Sequence, residues 1–127
     1  MARRRIKPEE LPAVIDKIIK DYEDDLQDGV NDVVAKVAKR GAEALRSSSA
    51  AVINSRYAQG WKVQIEKRRL GDIATIYHAV PGLPHLLEHG HAMPRGGRAP
   101  AKVHIAPVAE TLETDFIKDM EAMIRDL

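Results

Sequence analysis

The stretch LPAVIDKIIKDYEDDLQDGVNDVVAKVAKRGAEAL, residues 11–45, decides the fold. Its apolar residues fall at Leu11, Ile15, Ile18, Tyr22, Leu26, Val30, Val34, Ala38, Ala42 and Leu45, in steps of three and four. That is the period of an α-helix. Pro8 and Pro12 suit a first helical turn, Glu9 and Glu10 complement the positive end of the helix dipole, and Lys39, Arg40 and Arg46 complement the negative end. Ser47, Ser48 and Ser49 are expected to end the helix. Unbroken, it runs about 55 Å, longer than a small domain needs to cover its own sheet, so part of the stripe is expected to meet another subunit. Gly29 and Gly41 each cost about 1 kcal/mol relative to Ala in a helix interior, which leaves a break near Gly29 as the alternative. Fours outnumber threes in the spacing, which argues against a long coiled coil of period 3.5.

Beyond the serines the period changes. Trp61, Val63 and Ile65 alternate with Lys62, Gln64 and Glu66, and Ile73, Thr75 and Tyr77 alternate with Ala74, Ile76 and His78, so both segments are expected as strands. Residues 67–72, with Gly71, suit a hairpin connection, and a hairpin alone is marginal, so its apolar face must lie on a helix or a neighbouring chain. Leu83 to His89 reads as a short helix stopped by Gly90, which is expected to supply a left-handed cap. The run from Gly90 to Pro100 has no apolar period and is expected as a mobile loop, followed by a short strand over Lys102–Ile105. Pro107 opens a final helix with Val108, Leu112, Phe116, Met120 and Met123 or Ile124 at helical spacing. No internal repeat is apparent.

With 127 residues, 44% hydrophobic and 31% charged, the chain has the size and composition of one ordinary domain, residues 1–127, whose helical segment is 1–48 and whose remaining elements occupy 55–127. The absence of cysteine removes disulfides and thiolate metal sites together. After the basic Arg3, Arg4, Arg5 and Lys7 come Pro8, Glu9 and Glu10, not the apolar run of an export signal, and no later stretch approaches the roughly 20 apolar residues a membrane span needs. Neither a membrane association nor a small-molecule substrate is expected. The net charge of +1 makes whole-molecule attraction to nucleic acid weak.

One literal motif calls for chemistry. His85-Leu-Leu-Glu-His89 matches the H-x-x-E-H pattern of inverted zinc peptidases, with two histidines four apart on one helix face. Such a site needs a third ligand and a scaffold large enough for a cleft, whereas this helix is about two turns long, bracketed by Pro84 and Gly90. Solvated or hydrogen-bonded histidines are therefore expected, with no metal, no cofactor and no catalytic residue. The other option, a structural or adventitious metal held by the cluster His85, Glu88, His89 and His91, with or without His104, ranks below that. Gly96-Gly97 lacks the lysine pattern of a phosphate-binding loop, and Ser47–Ser49 lack any nucleophile context. Leu86 and Leu87 are expected on a buried helix face and Trp61 as a core anchor. Three basic clusters, Arg3–Arg5, Lys67–Arg69, and Arg95 and Arg98 with Lys102, supply the rival reading, a nucleic-acid-binding module that contacts DNA. The acidic stretch Asp21, Glu23, Asp24, Asp25 and Asp28 opposes a DNA-facing helix.

The order and spacing of Ser55-Arg-Tyr-Ala-Gln-Gly-Trp-Lys-Val63, Leu86-Leu-Glu-His-Gly-His91, Gly96-Gly-Arg98 and His104-Ile-Ala-Pro107 resemble one family of tailed-phage proteins. These are the tail-component proteins typified by gene product ten of the Hong Kong lambdoid phage. The resemblance covers residues 48 to about 110; the chain departs from it at Asn54-Ser55, where Thr-Gly is usual, and at His89, where an aromatic is common. It implies a small α+β subunit of the virion neck or tail that acts by assembling, with no catalytic residues to carry over. The expectation is thus an α+β fold, with a long N-terminal helical segment and a C-terminal helix packed on a small antiparallel β-sheet. Its expected role is a non-enzymatic virion protein assembled in the bacterial host cytoplasm, a ring-forming homo-oligomer that meets other neck or tail proteins. Ile15, Ile18 and Tyr22 on the helix, and Arg95 and Arg98 on the glycine-rich loop, are the expected contact residues; Trp61, Leu86, Leu87 and Gly90 are the expected structural ones.

Overall fold

The computed structural model describes residues 5–127 and is α+β, so Arg3 and Arg4 of the N-terminal basic cluster lie outside the described residues. After a 3-10 turn at Pro8–Glu10 comes one continuous helix, α1 (Leu11–Val52). Then follow α2 (Ser55–Ala58), β1 (Trp61–Glu66), β2 (Ile73–His78), α3 (Leu83–His89), β3 (His91–Ala92), β4 (Arg98–Ala99) and α4 (Ala106–Arg125). At 42 residues α1 is about 63 Å long.

No break occurs at Gly29. The reason is tertiary: α4 runs back antiparallel along the second half of α1, with Gly29 opposite Met123 and Gly41 opposite Leu112. A Cβ at Gly29 would stand 2.6 Å from Met123 Sδ, and one at Gly41 would stand 2.9 Å from methyls of Leu112 and Ile76. Each glycine gives up helix propensity and lets α4 approach the α1 backbone. Arg40 pairs with Asp119 at 3.2 Å and Asp115 at 3.8 Å across the same junction.

The expected helix end at Ser47–Ser49 is corrected, because α1 runs about one further turn to Val52. Both side chains that favour leaving the helix are instead engaged from elsewhere in the chain. Ser48 Oγ donates to the His104 carbonyl and Ser49 Oγ accepts from Trp61 Nε1, each at 2.8 Å. Asn54, whose side chain accepts from the Tyr57 amide at 2.8 Å, caps α2 instead.

Strands β1 and β2 form the expected antiparallel hairpin, in the register Trp61↔His78, Val63↔Ile76 and Ile65↔Ala74 on the face turned to α1. Lys62, Gln64, Glu66, Ile73, Thr75 and Tyr77 face outward. The connection is pinned at its tip. Asp72 accepts from Lys67 Nζ at 2.8 Å, and its amide donates to Asn31 Oδ1 on α1 at 3.0 Å. Leu45, Tyr57 and Trp61 form the buried centre, packed by Ile53, Ile76, Leu83, Leu87, Ile105 and Val108. Trp61 is thus the core anchor that its alternating position implies.

Four local expectations change. The run from Gly90 to Pro100 is a small hairpin, with His91 opposite Ala99 and Ala92 opposite Arg98, closed by a turn in which the Met93 amide donates to Gly97 O at 3.0 Å. Gly90 has φ +76 and ψ 173, a positive φ but an extended ψ, so it does not adopt the helical left-handed cap. A Cβ there would stand 2.6 Å from the Ala99 carbonyl oxygen. Residues 102–105 are not a strand; they are held by contacts with α3 described below. Leu86 is 42% exposed, and the residue that α3 buries is Glu88. Counting four from Leu83 puts Leu87, not Leu86, on the inner face. Among the described residues no helix is long and apolar enough to cross a membrane.

Candidate functional site

Two features stand out, a knot of buried polar groups and a bare length of helix. The knot forms where the C-terminal end of α1, α3 and the start of α4 meet. Glu88 Oε2 accepts from the amides of His104 at 2.8 Å and Ile105 at 3.0 Å, and Oε1 accepts from the amide of Ala106 at 3.1 Å. These are the unpaired N–H groups at the start of α4, so a carboxylate from a different helix caps it. Burial alone would raise the Glu88 carboxyl, but the three N–H donors, with His104 beside them, outweigh it and hold the group below its usual 4.5.

His104 has no exposed surface. Its Nδ1–H faces two acceptors, the Lys102 carbonyl at 2.7 Å and Glu88 Oε2 at 3.1 Å, and in the neutral ring Nε2 then accepts from the Tyr57 hydroxyl at 2.9 Å. His78 is fixed in the other tautomer. Nε2–H donates to the Tyr57 carbonyl at 2.7 Å and Nδ1 accepts from the Val80 amide at 3.0 Å. The Tyr57 ring stacks on His78 at 4.4 Å and meets Trp61 edge-on at 6.1 Å. Burial first, then the Glu88 charge, pushes the Tyr57 hydroxyl up to about 12. Every polar atom in this knot has a partner within it, so its chemistry is cohesion: it welds α4 and α3 to the end of α1.

The H-x-x-E-H motif comes apart in the fold. His85 and His89 lie on the exposed side of α3 with ring centroids 4.8 Å apart, while Glu88 points inward and spends its carboxylate on backbone amides. Among the described residues no three acidic or histidine side chains converge to hold a metal ion. Glu88, His104, Ser49 and Tyr57 are the residues that sequence reasoning missed. The side-chain contacts that join them to one another and to Trp61 span 12 to 47 residues, so no local pattern signals them.

The second feature is the first part of α1. From Leu11 to Asp25 every residue is exposed except Val14, which is half-buried. Ile15 is 44% exposed, Ile18 63% and Tyr22 53%, joined by Leu11 and Ile19. This arm is about 22 Å of helix that α4, ending at Arg125 near Gly29, does not reach. Arg95 and Arg98 are exposed on the β3–β4 hairpin, which belongs to the opposite end of the molecule, where Lys102 N donates to Leu87 O at 2.7 Å. The structure therefore brings Ile15, Ile18 and Tyr22 together on one arm and separates them from the two arginines. Gly90 and Trp61 serve the knot end.

No family model, curated protein or solved structure matches this chain.

Proposed function

We propose that this protein is a structural subunit of a tailed-phage particle, placed at the head–tail neck or in the tail, and that it works by assembling with copies of itself and with adjoining neck or tail proteins. It performs no catalysis and takes no cofactor in this reading; it belongs to the virion and is put together in the cytoplasm of the bacterial host. The phage assignment rests on the order and spacing of the four motif segments between Ser55 and Pro107. The assembly mechanism rests on one observation, the bare apolar stripe of the arm.

An isolated stretch of helix this short is marginal in water even with good propensity, because most helical stability comes from packing of the apolar face. Leu11, Ile15, Ile18, Ile19 and Tyr22 remain 44–63% exposed among the described residues. Burying a side chain of this kind contributes about 1.5–3 kcal/mol when complete, so a contact covering the stripe supplies the driving force for association while the rest of the molecule stays rigid. The welded end of α1 serves the same purpose, since it holds the arm at a fixed angle to the body.

The test is Ile18→Asp. The site is open to solvent, so the variant is expected to keep the circular-dichroism spectrum and melting temperature of the parent. Its mass in light scattering is expected to stay that of a monomer where the parent assembles. Parent-like assembly by the variant would remove the stripe as the contact surface.

A further inference from the structure

Resting on that assembly reading, we propose that the contact between copies is head to tail: the acidic arm of one subunit docks on the basic end of the next. The arm is an apolar ridge on a helix whose exposed charges are mostly acidic. Between residues 9 and 25 there are seven carboxylates and two lysines, and all of them are exposed. At the other end of the molecule Arg56, Lys62, Arg95, Arg98 and Lys102 are exposed. Across residues 47–65 and 73–105 the single carboxylate is Glu88, and it is buried beneath α4.

The basic end also carries apolar surface of its own. Val52, Val80, Leu86, Met93 and Val103 are each about half exposed there. A cavity of about 450 Å³ opens between α2, the start of β1 and the segment after β2, with Val80 and Leu83 in its wall and Arg56 and Lys62 on its lining. Arm and end thus match in both respects: apolar groups with apolar groups, and carboxylates with guanidinium and ammonium groups.

The same charges exclude the symmetric pairings. An arm laid on an arm sets a predominantly acidic surface against its like, and an end on an end sets five cations against five, so both pairings are repulsive. Only the unlike pairing joins buried apolar area to opposite charge. Because its two surfaces differ, such a contact does not stop at a dimer; it repeats until it closes into a ring or continues as a filament.

The experiment uses two full-length variants. One reverses the arm (Asp21→Lys, Asp24→Lys and Asp25→Lys) and the other reverses the end (Arg56→Glu, Lys62→Glu and Arg98→Glu). All six positions are exposed, and circular dichroism checks that both proteins fold. In sedimentation velocity at about 0.05 M salt, where charge acts over longer distances than at physiological strength, the parent is expected to associate. Each variant alone is expected to bind itself at least tenfold more weakly, because its two contact surfaces then share one sign. An equimolar mixture is expected to recover the parent assembly with the two variants alternating, since each arm again finds an end of opposite sign. Association of either variant at parental strength, or a mixture that stays monomeric, overturns the head-to-tail contact. If those results accompany an Ile18→Asp protein that fails to assemble, the stripe still mediates association and only its partner surface is wrong. A parent that stays monomeric at every concentration while shifting a DNA duplex, with the shift abolished in the end-reversed variant, overturns both and makes the basic end a nucleic-acid surface.

Discussion

Replacing Glu88 by glutamine tests the buried knot with a change of a few atoms. The carboxylate uses both oxygens, Oε2 toward two amides and Oε1 toward a third. A glutamine amide keeps one acceptor oxygen and turns an NH2 toward the remaining N–H. One charge-assisted hydrogen bond is lost and a buried donor is left facing a donor, at a cost of about 1.5–3 kcal/mol. Loss of the negative charge at the start of α4 adds up to about 1 kcal/mol. The expected total is near 3 kcal/mol, which for a chain of this size lowers the melting temperature by about 12 °C. The pH dependence carries a second signature. Because the folded Glu88 pKa is depressed below 4.5, its stabilisation is complete above that value and is lost as the pH falls through the lower, folded value. The gap in melting temperature between parent and Glu88→Gln is therefore expected to be constant from neutral pH down to about pH 4.5 and to narrow in more acidic buffer. Calorimetry across that range reads both. A variant that melts with the parent at neutral pH, or a gap that widens in acid, would refute the capping role.

Other substitutions probe single contacts. Gly90→Ala meets both an unfavourable positive φ and the Ala99 carbonyl oxygen, and is expected to destabilise by more than about 1 kcal/mol in urea unfolding. Trp61→Phe leaves the fully buried Ser49 hydroxyl without its indole donor and is expected to cost about 1–3 kcal/mol by the same measurement. Tyr57→Phe removes the donor to His104 Nε2 and is expected to cost about 1 kcal/mol. It is also expected to abolish the loss of stability expected of the parent as the pH rises from 10.0 through about 12, the window between the ordinary and the raised, folded Tyr57 pKa.

The parts legible in the sequence were those written in a repeating period. Ten apolar positions between Leu11 and Leu45 place α1, the alternation around Trp61 and Ile76 places the hairpin, and Pro107 with its i, i+4 followers places α4. What escaped was set by contacts between distant residues. Ser47–Ser49 carry the signal of a helix end, yet hydrogen bonds to His104 and Trp61 hold Ser48 and Ser49 in place. Gly29 and Gly41 carry the signal of a break, yet the near approach of α4 accounts for both. Strands β3 and β4, of two residues each, are too short to express a period at all. Of the candidate contact residues, the exposure of Ile15, Ile18 and Tyr22 follows from helix length exceeding what a small sheet can cover. The role of Glu88 followed from nothing nearby, since its proximity to two histidines pointed to metal chemistry and its three partners lie 16 to 18 residues further on.

The claim underlying the functional reading is that the chain is a building block of a particle. Quantitative mass spectrometry of tailed particles purified from cells that produce the chain measures this directly. The account predicts the chain in those particles at a fixed ratio of several copies to each tail; its absence from them, with the protein left free in the lysate, would contradict the account.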